Sequence, residues 1–259
     1  MHDILEFYDR TAAKEQDREQ IMRTVVRYAL EVTTIRTEDA VHFFETSDSK
    51  RSRYNLVRAI IWYIDKFHGE DMQTATLPDG KAALELSFRI VLPFEHDGTP
   101  FLYCGHIDKI GDIGSQLFIV ERKHTTTTLS GYYFDRFAPN NQISGYKFAA
   151  DVMMGHGISG VIVDAVQVAE GFSRYIRAPV HRNQEQTQEW LENLGEWLAM
   201  AKHYAERNVW PMNEEACHLY GGCTYRPICR MAKGARQKFL ESNFVRQGWD
   251  PLRSRGSDE

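Results

Sequence analysis

Apolar residues recur at helical spacing over residues 16–34 and 53–69, with Ile21, Val25, Tyr28 and Leu30 marking the stripe on the first. That period predicts two helices with one buried face each. From Ala83 to Leu92 the period falls to two, and Leu84, Leu86, Phe88, Ile90 and Leu92 share one face of an extended chain, as in a half-buried strand. His96-Asp97-Gly98-Thr99 supplies a hairpin turn into Phe101-Leu102-Tyr103-Cys104, because Asp-Gly accepts the positive φ that tight hairpins need. Leu117-Phe118-Ile119-Val120 is a short unbroken apolar run and predicts a buried strand, with turn chemistry at Gly111-Asp112-Ile113-Gly114 before it. Pro139-Asn140-Asn141 opens a helix through Ala150, asparagine being a favourable cap. Val161 to Val168 follows as a strand and Gln184 to Arg207 as a long amphipathic helix. Helices first, then two successive hairpins, then mixed elements predict an α/β fold, a mixed central sheet flanked by helices.

The strand after the second turn carries the chemistry. Side chains alternate along a strand, so Glu121 and Lys123 project together while Arg122 points away. A hairpin turning near residues 114 and 115 sets Asp108 across from Glu121, with Cβ atoms roughly 5 Å apart, close enough for two carboxylates to share one cation. A Glu-x-Lys triplet alone arises by chance roughly once in a chain this long, and a solvated hairpin face would explain it. The Asp at the matching distance changes that, as does a Glu beside Phe118, Ile119 and Val120. An uncompensated carboxylate near a core edge is costly, and a cation compensates it. Two acids and a lysine on one patch suit metal-dependent attack on a phosphodiester. Hard oxygen ligands such as Asp108 and Glu121 fit Mg²⁺ or Mn²⁺, and the bound ion would lower the pKa of the attacking water. Lys123, beside two carboxylates, is expected to act by its charge on the transition state.

The ordered set Gly105-His106-Ile107-Asp108, Glu121-Arg122-Lys123 and Gln142-Ile143-Ser144-Gly145-Tyr146 resembles the RecB-type branch of the PD-(D/E)xK nucleases. The family pattern runs motif histidine, G-x-x-D, E-x-K and Q-x-x-x-Y, and His2 matches the histidine. The phrase from Phe172 to Trp190, with Arg174, Arg177 and Pro179, resembles phage-associated members. One departure is His124, where the family usually has threonine. The resemblance implies a restriction-endonuclease-like core, catalysis by Asp108, Glu121 and Lys123, and metal ligation by Asp108, Glu121 and His2. It also implies DNA contact, or support of the lysine, by Gln142 and Tyr146. Those two lie four apart on a helix and so on one face, which a helix surface pair with a half-buried Tyr146 would equally explain. A histidine ligand would bias the site towards Mn²⁺. Glu85 matches an acidic family position but faces away from the Leu84 stripe, and is not expected to be catalytic. His106 falls on the Asp108 face, as phosphate ligand or as satisfied strand histidine. Tyr132, Tyr133, Phe134 and Phe137 offer base stacking or core packing.

Composition adds boundaries. The chain has 259 residues and a formal net charge of −5, a mild argument against nucleic acid, whose binders usually leave a basic footprint. Basic charge concentrates from Cys217 onward, with eight Lys or Arg against four Asp or Glu. No stretch approaches the roughly 20 apolar residues needed to span a bilayer, and the opening Met-His-Asp-Ile-Leu-Glu lacks a signal-peptide core. A soluble cytoplasmic protein, of a bacterial or phage-infected cell, is expected.

Cys217, Cys223 and Cys229 gather three of four cysteines within 13 residues, which in an intracellular chain points to metal rather than disulfides, unless the thiols are incidental. The resemblance implies a [4Fe–4S] cluster held by these three and one N-terminal cysteine, but four ligands are needed and the fourth is missing; Cys104 reads as structural. The family's cysteine precedes its motif histidine, so the sequence is expected to be truncated or to start late. A histidine beside a fraying terminus makes His2 the weakest ligand expected. The expected organisation is a nuclease domain over 1–212, a cysteine module over 213–240 and a tail over 247–259. The function expected is a metal-dependent deoxyribonuclease, an exonuclease or end-processing enzyme of recombination, repair or phage DNA metabolism, acting on DNA ends or single strands. Two rivals stand: a catalytically silent DNA-binding subunit, and an unrelated metal protein built on the cysteines.

Overall fold

A computed structural model describes residues 1–36, 40–44, 46, 48–155 and 157–248. The elements are α1 (His2–Ala12), α2 (Arg18–Val32), β1 (Thr34–Arg36), β2 (Val41–Phe43), α3 (Arg53–Phe67), β3 (Gln73–Thr74), β4 (Leu84–His96), β5 (Thr99–Ile113) and β6 (Gln116–Thr125). They continue with α4 (Gly131–Asp135), α5 (Asn141–Met154), β7 (Ile158–Val168), β8 (Ser173–Val180), α6 (Gln184–Glu206), α7 (Arg226–Cys229) and α8 (Lys233–Asn243). Short 3₁₀ turns lie at Ser49–Arg51 and Glu215–Gly221.

Local chemistry explains the boundaries. Asp17 caps α2 by accepting from the Gln20 N–H at 2.8 Å, and Asn140 caps α5 by accepting from Gln142 and Ile143 at 2.9 and 3.2 Å. Each cap satisfies helix donors that have no partner within the helix. Both strand hairpins turn through two residues with positive φ, Asp97-Gly98 and Gly114-Ser115. The twist of such turns matches that of the strands they join.

The main sheet has six strands, ordered β3-β5-β6-β7-β8 with β4 also pairing β5. All neighbours are antiparallel except β6 and β7, which the α5 crossover makes parallel. The sheet is therefore mixed and flanked by helices, as the periodicity predicts. One apolar core joins Ile107, Ile110, Ile119, Val161 and Val163 to Ile143, Ala149 and Ala150 of α5. A second joins α1, α2 and α3, through Ile4, Leu5, Ile21, Val25, Ile60 and Ile64, to Val166, Val168 and Tyr175.

The described residues divide into two compact units between Leu191 and Glu192, inside α6, earlier than the boundary expected at 212. In the second unit Tyr225 stacks on Phe244 with ring centroids 5.3 Å apart, and Ile228 is buried. Of the expected tail, residues 249–259 lie outside the described residues.

One glycine sets how closely α5 approaches the sheet. A Cβ at Gly145 would stand 2.0 Å from the Tyr103 hydroxyl, 2.8 Å from its ring carbon Cζ and 3.0 Å from the Trp190 ring. Both rings are packed against Phe148 and each other, so neither can yield cheaply. Gly145→Ala is expected to lower unfolding stability by about 1–3 kcal/mol through overpacking, despite the better helix propensity of alanine. Urea denaturation checks this, and a variant as stable as wild type would contradict the close approach.

Candidate metal centre

The β5–β6 ladder runs from Ile113↔Gln116 to Lys109↔Val120 and stops there. Beyond it β5 pairs with β4, and β6 pairs with β7. Asp108 and Glu121 are the next residues on the two strands, and so sit where the strands part. The Asp108 carboxylate takes up part of the lost pairing, its Oδ2 accepting from the Arg122 backbone N–H at 2.9 Å. On the other side Leu84↔Lys109 and Leu86↔Ile107 set Glu85 level with Asp108. Glu85 has φ +49°, a left-handed conformation uncommon for a residue other than glycine.

Helix α1 closes the group. His2 Nε2 lies 2.7 Å from Glu85 Oε1 and 3.5 Å from Asp108 Oδ1. One ligand atom from each of His2, Glu85 and Asp108 falls within 4.8 Å of the others. Lys123 donates to Glu121 Oε1 at 2.5 Å and to Gln142 Oε1 at 2.9 Å. The Gln142 amide in turn donates to the Tyr146 hydroxyl at 3.2 Å. Glu121 is 2% exposed and its second oxygen, Oε2, is buried without a hydrogen-bond partner.

The electrostatics follow from crowding acids in a dry place. Burial, and then the Asp108 charge, push the Glu121 carboxyl up to about 7. Burial also raises Asp108, against the pull of His2. His2 is raised by its hydrogen bond to Glu85 and by the Asp108 charge, which together outweigh desolvation. His2 Nε2 thus stands between two acids, where a divalent cation would fit. The donor set, one imidazole and carboxylate oxygens, suits Mn²⁺ or Mg²⁺.

Asp108, Glu121 and Lys123 are brought together as the hairpin register implies. His2, the least expected ligand, lies in the first turn of α1 and is held there by Glu85. Glu85 itself corrects the sequence reading. Facing away from the Leu84 stripe does not remove it from the site, because that side is where Asp108 and His2 meet; the acidic family position was the signal for it. Gln142 and Tyr146 share the Lys123 side, but the Tyr146 ring packs edge-on to Phe88 at 6.0 Å within the core, which leaves support of the lysine rather than base stacking as its visible role. His106 bonds Ser87 at 2.9 Å and is a satisfied strand histidine. Tyr133 and Phe137 are core, Phe134 packs against them, and Tyr132 alone is exposed.

Among the described residues the metal-donor group is His2, Glu85 and Asp108, and Cys217, Cys223 and Cys229 form no such cluster. All four cysteines are free; Cys223 and Cys229 are exposed, and Cys217 donates weakly to the Asn213 carbonyl at 3.7 Å. No protein-family model and no curated protein matches this chain.

Glu121 also makes a prediction about stability. Its folded pKa of about 7 lies above the ordinary 4.5, so the folded chain binds the extra proton and stability falls as pH rises through that window. The loss approaches about 3 kcal/mol above pH 7. Metal-free protein should therefore melt lower at pH 8 than at pH 5, and Glu121→Gln should remove most of that difference. A wild-type and a Gln variant with parallel melting curves across this range would contradict a buried Glu121 carboxyl of raised pKa.

Proposed function

We propose that this chain is a metal-dependent deoxyribonuclease that hydrolyses phosphodiester bonds at DNA ends. The observation that carries the proposal is the buried, unpartnered Glu121 Oε2 beside Asp108 and the preformed His2–Glu85–Asp108 group. Acids held this close and this dry serve no packing purpose, and an orphaned buried carboxylate oxygen asks for a cation. In this reading the mixed sheet is a restriction-endonuclease-like core, and the ordered motifs around Asp108, Glu121 and Gln142 mark the RecB-type branch. The protein would work in the cytoplasm, in recombination, repair or phage DNA metabolism; no helix among the described residues is long and apolar enough to cross a membrane.

His2, Glu85, Asp108 and Glu121 would hold Mg²⁺ or Mn²⁺. When bound, the ion neutralises phosphate charge and eases loss of a proton from the attacking water. The chain's own residues do the rest. Lys123 is held from two sides, by Glu121 and by Gln142, so its ammonium is fixed beside the acids without reorganising, the condition under which a charge stabilises a transition state best. Tyr146 fixes the Gln142 amide by its hydroxyl, and the two would meet the DNA backbone beside the lysine. Burial of Asp108 and Glu121 excludes bulk water and strengthens each of these charge interactions.

Cleavage of end-labelled linear DNA in Mg²⁺ or Mn²⁺, with and without EDTA, tests the reading. Asp108→Ala and Glu121→Ala are expected to abolish metal-stimulated cleavage while the variants stay folded. Lys123→Ala should lower kcat by about 10²–10³-fold with a smaller change in DNA affinity. DNA binding without cleavage under any divalent cation would mark a silent binding subunit, and full activity in either acid variant would sink the site.

A further inference from the structure

The residues next to the two central acids meet at one further carboxylate. Lys109 follows Asp108 and Arg122 follows Glu121, and both reach the same carboxylate, Asp9 of α1. Lys109 Nζ donates to Asp9 Oδ1 at 3.0 Å, and Arg122 Nη2 donates to Asp9 Oδ2. All three side chains are buried, at 6% exposure or less. Arg122 Nε and Nη1 find no hydrogen-bond partner, so Asp9 is the acceptor that fixes its head. Burial works against the Asp9 charge, yet Arg122 and Lys109 outweigh it and hold the carboxyl below its ordinary range.

Asp9 and His2 are seven residues apart on one helix, about 20° short of two full turns and about 10 Å along the axis. They therefore share a face. At one end of that face His2 meets Glu85 and Asp108; at the other, Asp9 forks onto the neighbours of Asp108 and Glu121. The apolar residues between them, Ile4, Leu5 and Tyr8, bury the helix but do so without direction, and tolerate sliding or rotation. A two-armed charged contact does not, because each arm demands a short distance and an angle.

We propose that Asp9 is a positioning residue for the metal centre: it sets the register of α1 against β5 and β6, and so the placing of His2 against Asp108 and Glu121. This rests on the metal-dependent reading above. Buried ion pairs contribute little net stability over apolar residues of the same size, and their attested use is to specify geometry. The Asp9 fork is placed to do that for a site whose ligands come from three separate elements.

The test separates geometry from stability. The triple variant Asp9→Leu/Lys109→Met/Arg122→Met exchanges the fork for apolar side chains of similar volume, and is compared with the wild-type chain by thermal unfolding in EDTA and by calorimetric titration with Mn²⁺ alone. It should melt close to wild type but bind Mn²⁺ about 10–100-fold more weakly, the usual range when the support of metal ligands is lost. An equally stable triple variant with wild-type Mn²⁺ affinity overturns the proposal. Should the triple variant fail to fold, Lys109→Met decides, since it removes one arm and keeps the Asp9–Arg122 arm: a several-fold loss of Mn²⁺ affinity supports positioning, and unchanged affinity overturns it. A wild-type chain that binds no Mn²⁺ overturns the metal reading itself, an outcome distinct from either.

Discussion

The backbone pairing of β5 with β6 ends at Lys109 and Val120, and the carboxylates of Asp108 and Glu121 occupy the place where the next pair of the ladder would lie. Strands that stay paired present their side chains to a closed face. Strands that part expose backbone groups and make room between them, and here the room is filled by acids. Asp108 spends one oxygen on the Arg122 N–H, leaving the other towards His2. Glu121 gives one oxygen to Lys123 and has no partner for the second. The rest of the candidate site is built around this fork in the sheet.

Two charged systems share the same two strands and differ in what they leave unsettled. On the Asp9 side two cations share one acid, and Arg122 is held well above its ordinary basicity by Asp9 and its neighbours, against the cost of burial. A similar arrangement continues through Tyr63, Asp164, Arg177 and Glu70, where Arg177 also stacks 3.7 Å above Phe67. On the Glu121 side acids outnumber cations, and this raises the pKa of both His2 and Glu121. Each acid of the first system is met by a cation, whereas the second has more acids than cations, the arrangement expected of a site that takes one up.

Helix α5 gives the site its third side. It is the crossover that turns β6 into a parallel neighbour of β7, and it carries Gln142 to within hydrogen-bond distance of Lys123. The same helix is held against Tyr103 and Trp190 by the absence of a side chain at Gly145. Its packing and its polar contact are therefore coupled: the distance that fills the core also sets the Gln142 bridge.

Much of this was legible in the sequence because it depends on local periodicity. Alternation placed Glu121 and Lys123 together, turn residues at 114 and 115 fixed the register that sets Asp108 against Glu121, and the i, i+4 spacing put Gln142 and Tyr146 on one face. Asn140 announced the cap of α5. What sequence could not supply were contacts between elements far apart in the chain. Glu85 joins the site through a left-handed backbone and a helix 83 residues upstream, and Asp9 reaches Lys109 and Arg122 across 100 and 113 residues. Close spacing at 217, 223 and 229 is likewise no guide to contact, since proximity along an irregular chain does not fix where side chains point, and among the described residues the metal-donor group is His2, Glu85 and Asp108. Periodic elements carry their geometry in the sequence, since each residue's direction follows from its neighbours; the approach of one element to another is decided by packing, and only the tertiary structure holds it.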